Sequence, residues 1–490
     1  MYSDRILLPQ GETLLMTAED AAAQFSSGMT IALGGFSTGI PKAIPISMAR
    51  RKDLSDISLI CAAARGADEF SEVAKSGVVS RFNGFQFVSE MRKSIDRGEI
   101  IYSDFHLGQL ATKVRGGVLG KIDFAVIECC KINADGSLVP SIAAGISDAL
   151  VEQAENILIE INLSCPLALE GFHDFCPGSL APISSVTERL GKSYIPCPPS
   201  KIRGIVITEL SEENIRFRDT TPLYDSIAEN VLRLVKSEIA SGHIPENFVF
   251  QSGVGGVANA MLEGFGKGGF KNLRMYSEIL ANTAFGFIKS GMICEASTTT
   301  MDLSLEALGE FYRNIDFYKP RIVIRPLEIS NGLAQIQSIV DLAINTAVET
   351  DIYGNVNSTN SLGSHMLYGI GGSNDFARNS KIGIFITPST AKDGKVSCIV
   401  PMVSHVDSTE HDVDVIVTEF GFADLRGKSP KERASLIIEN CAHPDFRDGL
   451  YDYYEGALDV CGPCQTPHDL TKALSWHRRF LETGSMREQN

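Results

Sequence analysis

The 490-residue sequence has no run of about eighteen apolar residues, and its start, MYSDRILLPQGETLL, has no apolar core of signal-peptide length. Cysteine is too sparse for a disulfide framework, because eleven thiols, an odd number, are scattered from Cys61 to Cys464. We therefore expect reduced thiols, no membrane partner and a cytoplasmic protein. A mitochondrial or hydrogenosomal matrix is the alternative if a presequence was removed.

Positive charge is also scarce. The sequence has 44 lysines and arginines against 60 aspartates and glutamates, a net charge of −16. Affinity for nucleic acid comes largely from clustered cations, so this balance argues against a nucleic-acid partner. An anionic ligand would have to be held by glycine-rich turns and helix N-termini, whose backbone N–H groups bind phosphate.

Hydrophobic periodicity predicts the α/β class, because short apolar runs alternate with longer amphipathic segments. Nearly continuous apolar strands are typical of parallel sheets covered by helices on both faces. The predicted strands are Met29 to Leu33, Ile57 to Cys61, Phe124 to Glu128, Ile157 to Ile161, Phe248 to Phe250, Arg321 to Arg325, Gly383 to Thr387 and Asp414 to Thr418.

A weak internal repeat predicts two domains of similar plan. A strand, a glycine-rich turn and a helix follow one another from Met29 and again from Phe248. The Pro-rich stretch IPCPPSKIRG cannot continue a helix, so we interpret it as a loop or linker between the two halves. The prediction is two open α/β domains, 1–220 and 221–490, with the boundary before a helix from Leu223 to Ile239.

Two glycine-rich turns are candidate ligand sites. GGFSTGIP, from Gly34 to Pro41, fits an anion-binding turn and fits equally a tight turn without a ligand. QSGVGGVANA, from Gln251 to Ala260, contains GVGGVA, which matches GxGxxA, so a nicotinamide enzyme has to be considered. The preceding strand is very short, however, and Glu278 is the only acid placed to bind a ribose.

The polar segment from Asn345 to Ser380 is rich in glycine, amides and hydroxyls, and such a segment inside an α/β chain is usually a set of ligand-facing loops. The acidic and histidine-rich run from Ser404 to Glu419 could hold a metal, but its histidines do not share one helical face. We favour a hydrogen-bonded polar turn there. CGPC, from Cys461 to Cys464, has no βαβ unit after it and is interpreted as incidental.

Two carboxylates stand out. Glu278 lies in the apolar stretch LRMYSEIL, and Glu419 ends a predicted core strand. A carboxylate in such surroundings has a positioned oxygen and a perturbed pKa, as nucleophilic or general-base chemistry requires. A buried structural role remains the simpler interpretation of either residue by itself.

Taken together, the motifs resemble the acetyl-CoA hydrolase/transferase family of class I coenzyme A transferases, with acetate:succinate CoA-transferases as the most similar members. The resemblance covers nearly the whole chain through GGFSTGIP, FNGFQF, QSGVGGVANA, MYSE, RPLEISN, AVETDIYGNVNST, GIGGSNDFARN, PMVSHVDSTEHDVDVIVTEFGFADLRG and CAHPDFRDGL. The sequence departs from the family pattern at YSEILANTA, which begins at Tyr276, where related transferases often have YTEVLQD. This difference leaves open which carboxylic acid accepts coenzyme A.

The resemblance implies the roles of individual residues. Glu278 would be the nucleophile, forming an acyl-glutamyl anhydride and then a glutamyl-CoA thioester while coenzyme A moves between short-chain acids such as acetate and succinate. The Asn331 amide and the Gly372 N–H would stabilise the oxyanion, and Glu419 would orient the nucleophile or contact substrate. The residues implied in binding coenzyme A are Gly253, Val254, Gly255, Gly256, Gly372 and Lys392.

The resemblance also implies a homodimer that acts on acyl-CoA and small carboxylates, without a metal or a permanently bound cofactor. GGFSTG would then line the carboxylate pocket. Three alternatives remain: an acyl-CoA hydrolase in which water takes the intermediate, a non-catalytic ligand-binding protein on the same scaffold, and, more distantly, a nicotinamide dehydrogenase.

Overall fold

The computed structural model describes residues 2–64, 69–176, 178, 181–212, 220–253 and 255–488. The chain divides into two compact units. The first comprises Met1–Arg216 and Arg274–Ile339, and the second comprises Phe217–Leu273 and Val340–Asn490. The units are discontinuous in sequence, whereas the domains predicted from sequence are continuous. The division of this chain at residue 220 stays a prediction from the sequence.

Residues 2–212 alternate between strands and helices. The strands are β1 (Thr30–Leu33), β2 (Ile57–Ala64), β3 (Val79–Gln86), β4 (Ile101–Ser103), β5 (Phe124–Ile132), β6 (Leu138–Pro140), β7 (Asn156–Asn162) and β8 (Ile202–Thr208). The helices are α1 (Ala18–Ala23), α2 (Ala43–Ala49), α3 (Glu69–Lys75), α4 (Ser89–Asp96), α5 (Leu107–Arg115) and α6 (Ser147–Gln153), and short 3₁₀ turns cover Gly11–Leu14, Leu167–Leu169 and Pro199–Lys201.

These strands form a sheet in the order β4-β3-β2-β1-β5-β7-β8, with β6 paired antiparallel to β5. Every neighbouring pair along that order is parallel. β5, with the sequence FAVIECCKI, is buried at eight of its nine positions, as expected for a strand covered on both faces. Phe25, Leu33, Met48 and Phe82 belong to the main apolar core beside this sheet.

The middle of the chain contributes elements to both units. They are α7 (Pro222–Ala240), β9 (Val249–Ser252), α8 (Gly256–Lys267), β10 (Leu273–Tyr276), β11 (Ile279–Ala281), α9 (Asn282–Ser290), β12 (Ile293–Thr298), β13 (Thr300–Asp302), α10 (Leu305–Arg313), α11 (Ile315–Tyr318), β14 (Ile322–Ile324), α12 (Leu327–Ser330) and α13 (Leu333–Ile339). α7 begins with Pro222 in its first turn and with the Thr221 hydroxyl accepting the Tyr224 N–H, two standard start signals.

The remaining elements belong to the second unit. The strands are β15 (Leu342–Thr346), β16 (Glu349–Asp351), β17 (Val356–Asn357), β18 (Asn360–Ser361), β19 (His365–Met366), β20 (Ile382–Ile386), β21 (Thr390–Ala391), β22 (Val396–Ser397), β23 (Ile399–Val400), β24 (Val415–Thr418) and β25 (Gly421–Asp424). The helices are α14 (Ser373–Ala377), α15 (Pro430–Cys441), α16 (Pro444–Cys461) and α17 (Ser475–Thr483), with a 3₁₀ turn at Glu410–Asp412.

In the second unit, β9, β15, β20 and β24 lie side by side in that order and run parallel, and β25 closes the edge antiparallel to β24. In the first unit, β14, β12 and β10 lie side by side. Because the carboxyl ends of parallel strands meet at one edge, residues that follow neighbouring strands are brought close together. In the second unit, Gly253 directly follows β9 and Glu419 directly follows β24.

The predicted α/β class with parallel sheets is confirmed. Each of the eight predicted strands overlaps an observed one, and the predicted helix from Leu223 to Ile239 is α7 with one more residue at each end. Among the helices described, none has the length and apolarity that a membrane crossing requires.

Candidate active site

Glu278 lies two residues after β10, in the first unit. Its main-chain carbonyl accepts the N–H groups of Thr299 and Thr300 at 2.9 and 3.2 Å and the Thr298 hydroxyl at 2.8 Å. Met275, Tyr276, Ile279 and Leu280 around it are buried, as LRMYSEIL predicts, while Glu278 itself is half-buried. Its backbone is therefore fixed at the strand ends, with the side chain partly accessible.

Asn331 is brought to Glu278 by α12. The residue ends this helix, and its side-chain Nδ2 donates to Oε1 of Glu278 at 2.5 Å. The amide is oriented by the Ser330 hydroxyl, which donates to its Oδ1 at 2.8 Å. The Tyr276 hydroxyl donates to the carbonyl of Ile329 at 2.6 Å and ties the helix to the strand before Glu278. The sequence separates the two side chains by 53 positions, and the fold joins them.

A buried arginine anchors the segment between β14 and Asn331. The Arg325 guanidinium is fully buried and forms an ion pair with Asp174. It also donates to the Ser297 hydroxyl at 2.9 Å and to the Val186 carbonyl at 3.2 Å. A buried charge that is paired and hydrogen-bonded holds its neighbours in one geometry, so Arg325 fixes where α12 begins.

The first glycine-rich turn packs against the chain that holds Glu278. The hydroxyls of Thr38 and Thr300 are 2.6 Å apart, and Thr38 also donates to the Met301 carbonyl at 3.2 Å. Ser37, in the left-handed region at φ +61°, donates to Asp302 at 3.4 Å. GGFSTGIP therefore lies beside the segment that carries the nucleophile candidate.

The second glycine-rich turn follows β9 in the second unit. The Gly253 N–H is used within the protein, since it donates to the Ile344 carbonyl at 2.9 Å. Gly255 precedes α8 with φ +119°, a conformation that favours glycine, and a Cβ there would meet no atom of the described residues within 4 Å. Gly256 begins the helix. Val254 lies outside the described residues.

Glu419 follows β24 directly, in the second unit. Its Oε2 accepts the Ser389 N–H at 2.9 Å and its Oε1 accepts the Ser389 hydroxyl at 2.5 Å. Ser389 begins the segment that leads into the β21–β22 hairpin, and Lys392 lies at the tip of this hairpin. The Lys392 ammonium lies 4.4 Å from the centre of the Phe480 ring on α17. The hairpin and the residue before it thus carry Ser389, which binds the Glu419 carboxylate, and Lys392, another predicted site residue.

The polar segment after β15 consists of short strands and turns in which buried side chains bond to one another. Gly372 is buried and precedes α14. Asp407 accepts the N–H groups of Ser358 and Thr359 at 2.6 and 3.0 Å, which is the geometry of a polar turn. In the described part of the chain, no three histidine, cysteine or acidic side chains are grouped to hold a metal ion.

Glu278 and Asn331 thus belong to the first unit, whereas Gly253, Gly255, Gly256, Gly372, Lys392 and Glu419 belong to the second. Sequence reasoning missed the residues that bind the two glutamates, Thr298 to Thr300 and Ser389. The run STTT, which begins at the end of β12, was a signal for the Thr298 hydroxyl, whereas the backbone N–H groups of Thr299 and Thr300 leave no pattern in the sequence. For Ser389, one serine after a proline carries no distinctive pattern.

Chemically, the first unit presents a carboxylate oxygen held by a side-chain amide. The carboxylate can attack an electrophilic carbonyl, and an N–H donor beside it can stabilise the oxyanion that forms. Burial raises the pKa of nearby Glu328, on α12, to about 7; repulsion by Asp148 adds to this effect and the Arg115 guanidinium opposes it. The helix that precedes Asn331 is therefore linked, through the Glu328–Arg115 ion pair, to a cluster of charged side chains that includes Asp148.

Comparison with known proteins identifies a family whose two domain models match this chain. Residues 10–206 match the acetyl-CoA hydrolase/transferase N-terminal domain, and residues 308–454 match the C-terminal domain. The chain is 43% identical to a succinyl-CoA:acetate CoA-transferase of Clostridium kluyveri over 96% of this chain and 90% of that protein. It is 37% identical to an acetyl-CoA hydrolase of Schizosaccharomyces pombe over 94% of each.

A solved structure shares the fold. RipA from Yersinia pestis is 22% identical and superimposes with a TM-score of 0.71 over 91% of this chain and 98% of that one. With both domain matches and relatives that are similar over nearly their whole length, the chain belongs to the acetyl-CoA hydrolase/transferase family.

Proposed function

We propose that this protein transfers coenzyme A between short-chain carboxylic acids, with acetyl-CoA and succinate as a representative pair. The observation that carries the proposal is the Glu278 carboxylate held by the Asn331 amide in a chain of this family. The similarity to a succinyl-CoA:acetate CoA-transferase supports the choice of acids.

In the proposed reaction, a Glu278 carboxylate oxygen attacks the thioester carbonyl of acyl-CoA. The C–S bond breaks, which releases the thiolate of coenzyme A and leaves an acyl-glutamyl anhydride. The thiolate then attacks the glutamyl carbonyl, the acyl group departs as a free carboxylate, and a glutamyl-CoA thioester remains. A second carboxylic acid reverses these steps and leaves as the new acyl-CoA. The sequence of steps is redox-neutral and needs no resident cofactor.

Each attack forms a tetrahedral oxyanion, which needs hydrogen-bond donors. We assign this role to the Asn331 amide and the Gly372 N–H. Asn331 is supported by its contact with Glu278, because a donor beside the nucleophile is also beside the carbonyl that is attacked. Gly372 is assigned through the family motif, and so is Glu419 as the second carboxylate of the site.

Coenzyme A itself we assign to the second unit. The turn from Gly253 to Gly256 precedes α8, a twelve-residue helix whose N-terminus favours a phosphate group. The lining would include Gly372, Lys392 and, by sequence, Val254. Because the Gly253 N–H already donates to Ile344, contact with this glycine would be through its Cα rather than its amide.

The test is an exchange assay with acetyl-CoA and succinate, following succinyl-CoA by mass spectrometry. We expect exchange by the wild type and none by Glu278→Gln. Glu306→Gln, which changes an exposed glutamate on α10, is the matched control and should keep full activity. Exchange that survives in Glu278→Gln would refute the assignment of the nucleophile.

Hydrolysis of acyl-CoA is the second candidate, and the similarity to an acetyl-CoA hydrolase of Schizosaccharomyces pombe favours it. Transfer and hydrolysis share the same intermediates, and they differ in whether water reaches the thioester. The two are separated by measuring free coenzyme A and new acyl-CoA with and without an added acid. Free coenzyme A released without an added acid supports the hydrolase, whereas succinyl-CoA formed on addition of succinate, with no matching rise in free coenzyme A, supports the transferase.

A further inference from the structure

A buried lysine directly follows the first glycine-rich turn and is surrounded by carboxylates. The Lys42 ammonium forms ion pairs with Glu128 at 3.4 Å and with Glu212 at 3.2 Å. All three side chains are largely buried: 11% of the Lys42 side chain is exposed, 1% of Glu128 and 8% of Glu212. Glu160, fully buried, accepts the backbone N–H groups of Lys42 and Ile44 at 2.9 and 2.7 Å. No step of the proposed reaction uses any of these groups.

Such a cluster is not explained by stability alone. Taking charges out of water costs several kcal/mol per ion, and well-packed apolar side chains are often as stabilising as a buried ion pair. Charged groups that remain buried do, however, fix geometry, because each needs its partners at set distances. The contacts of the cluster show which part of the chain it fixes.

The cluster holds the end of the glycine-rich turn. Glu212 Oε1 accepts the Gly39 N–H at 3.0 Å, and the Lys42 ammonium donates to the Ile40 carbonyl at 3.2 Å. Gly39 has φ +60°, and a Cβ there would lie 2.7 Å from the Ser141 hydroxyl. The turn therefore has a tightly constrained backbone whose polar groups are bound by charged side chains.

The other side of the same turn reaches Glu278 in two contacts. Thr38, which precedes Gly39, forms the 2.6 Å hydroxyl contact with Thr300. The N–H of Thr300 in turn donates to the Glu278 carbonyl. A displacement of the turn would therefore move the backbone that fixes Glu278. Lys42 and Glu212 would act on Glu278 indirectly, through Thr38 and Thr300.

We propose that Lys42 and Glu212 are positioning residues for the acyl-transfer reaction: together they hold the turn from Gly35 to Ile40 in the geometry that places Glu278. This inference rests on the proposed function, because it takes Glu278 as the nucleophile. Displacement of a reacting group by about 1 Å can cost about 10²-fold in rate. The effect acts on the nucleophile, so it lowers kcat and leaves the binding of acyl-CoA unchanged.

The experiment measures kcat and the KM for acetyl-CoA in Lys42→Met, Lys42→Arg and Glu212→Ala. Lys42→Met keeps much of the side-chain volume without the charge, and we expect kcat to fall about 10- to 100-fold with KM unchanged. Lys42→Arg retains the charge and the donors and should recover most of the rate. If Lys42→Met does not fold, Glu212→Ala, which removes the acceptor of the Gly39 N–H, decides by the same kcat and KM criteria.

The matched control is Lys131→Met, which breaks a partly buried lysine pair with Glu170 at 2.8 Å in the same unit. It should keep the wild-type kcat. A folded Lys42→Met or Glu212→Ala with wild-type kcat overturns the inference, as does an equal loss in Lys131→Met. If the wild type turns over no acyl-CoA, the proposed function and the inference both fail; an active wild type with unaffected variants removes the positioning role alone.

Discussion

The stability of the first unit should depend on pH through Glu328, three residues before Asn331. One guanidinium, Arg115, binds three carboxylates: Glu328, Asp148 at 2.9 Å and Glu152 at 2.7 Å. Because three carboxylates share one guanidinium, their mutual repulsion favours the protonated form of Glu328. Burial is the largest cause that raises the pKa of Glu328 to about 7 from 4.5, and repulsion by Asp148 adds to it.

The sign follows from the direction of that shift. The folded state binds the proton more tightly than the unfolded chain, so the stabilisation is complete below about pH 4.5 and is lost as the pH rises through 7. A shift of this size corresponds to at most about 3 kcal/mol between pH 5 and pH 8. Glu328→Gln imitates the protonated acid at every pH and should therefore be the more stable protein at pH 8.

The assay is thermal unfolding of wild type and Glu328→Gln at pH 5 and pH 8. The two proteins should melt within about 2 °C of each other at pH 5, and the variant should melt about 4 to 6 °C higher at pH 8, at about 2 °C per kcal/mol. Glu306→Gln controls for the loss of one surface charge. A gap that is the same at both pH values, or a variant that is less stable at pH 8, would refute the reasoning.

Two further predictions concern single contacts. Asn331→Ala removes the amide donor and should lower kcat about 10²- to 10³-fold with KM for acetyl-CoA nearly unchanged, as steady-state kinetics would show. Phe480→Ala removes the ring beneath the Lys392 ammonium and should raise KM for acetyl-CoA several-fold with kcat unchanged, since a cation–π contact is worth about 0.5 to 2 kcal/mol.

Each of these two changes has a neighbouring control. Ser330→Ala removes the hydroxyl that orients the Asn331 amide but keeps the amide itself, so its loss of kcat should stay below about 10-fold. Arg478→Ala, at an exposed position on α17, should leave the KM for acetyl-CoA unchanged. Equal effects of the control and the test variant would show that the named contact is not the cause.

The strands predicted from sequence are those in which apolar residues run together, such as β5 and β20, because burial on both faces leaves a pattern in the sequence. β3, with the sequence VSRFNGFQ, was not predicted, since polar residues and a glycine interrupt its apolar positions. Tertiary pairing with β2 makes it a strand.

The division into units could not be predicted either. The chain passes from one unit to the other after residues 216, 273 and 339. Compact units depend on contacts between residues far apart in sequence, and no boundary was predicted at the second and third of these points. The site shows the same limit. Glu278 stood out as a carboxylate in an apolar stretch, and Asn331 was singled out through a family motif. Their contact, and the three threonines that bind the Glu278 carbonyl, depend on neighbouring strand ends.

The most direct test of the central claim is chemical trapping of the nucleophile. The protein is incubated with acetyl-CoA and treated with borohydride, which reduces a glutamyl-CoA thioester to an alcohol and releases the coenzyme A thiol. The peptides are then mapped by mass spectrometry. The claim predicts one reduced side chain, at Glu278, and none in Asn331→Ala protein trapped for the same short time. A trapped residue elsewhere, or no adduct in a protein that catalyses exchange, would contradict it.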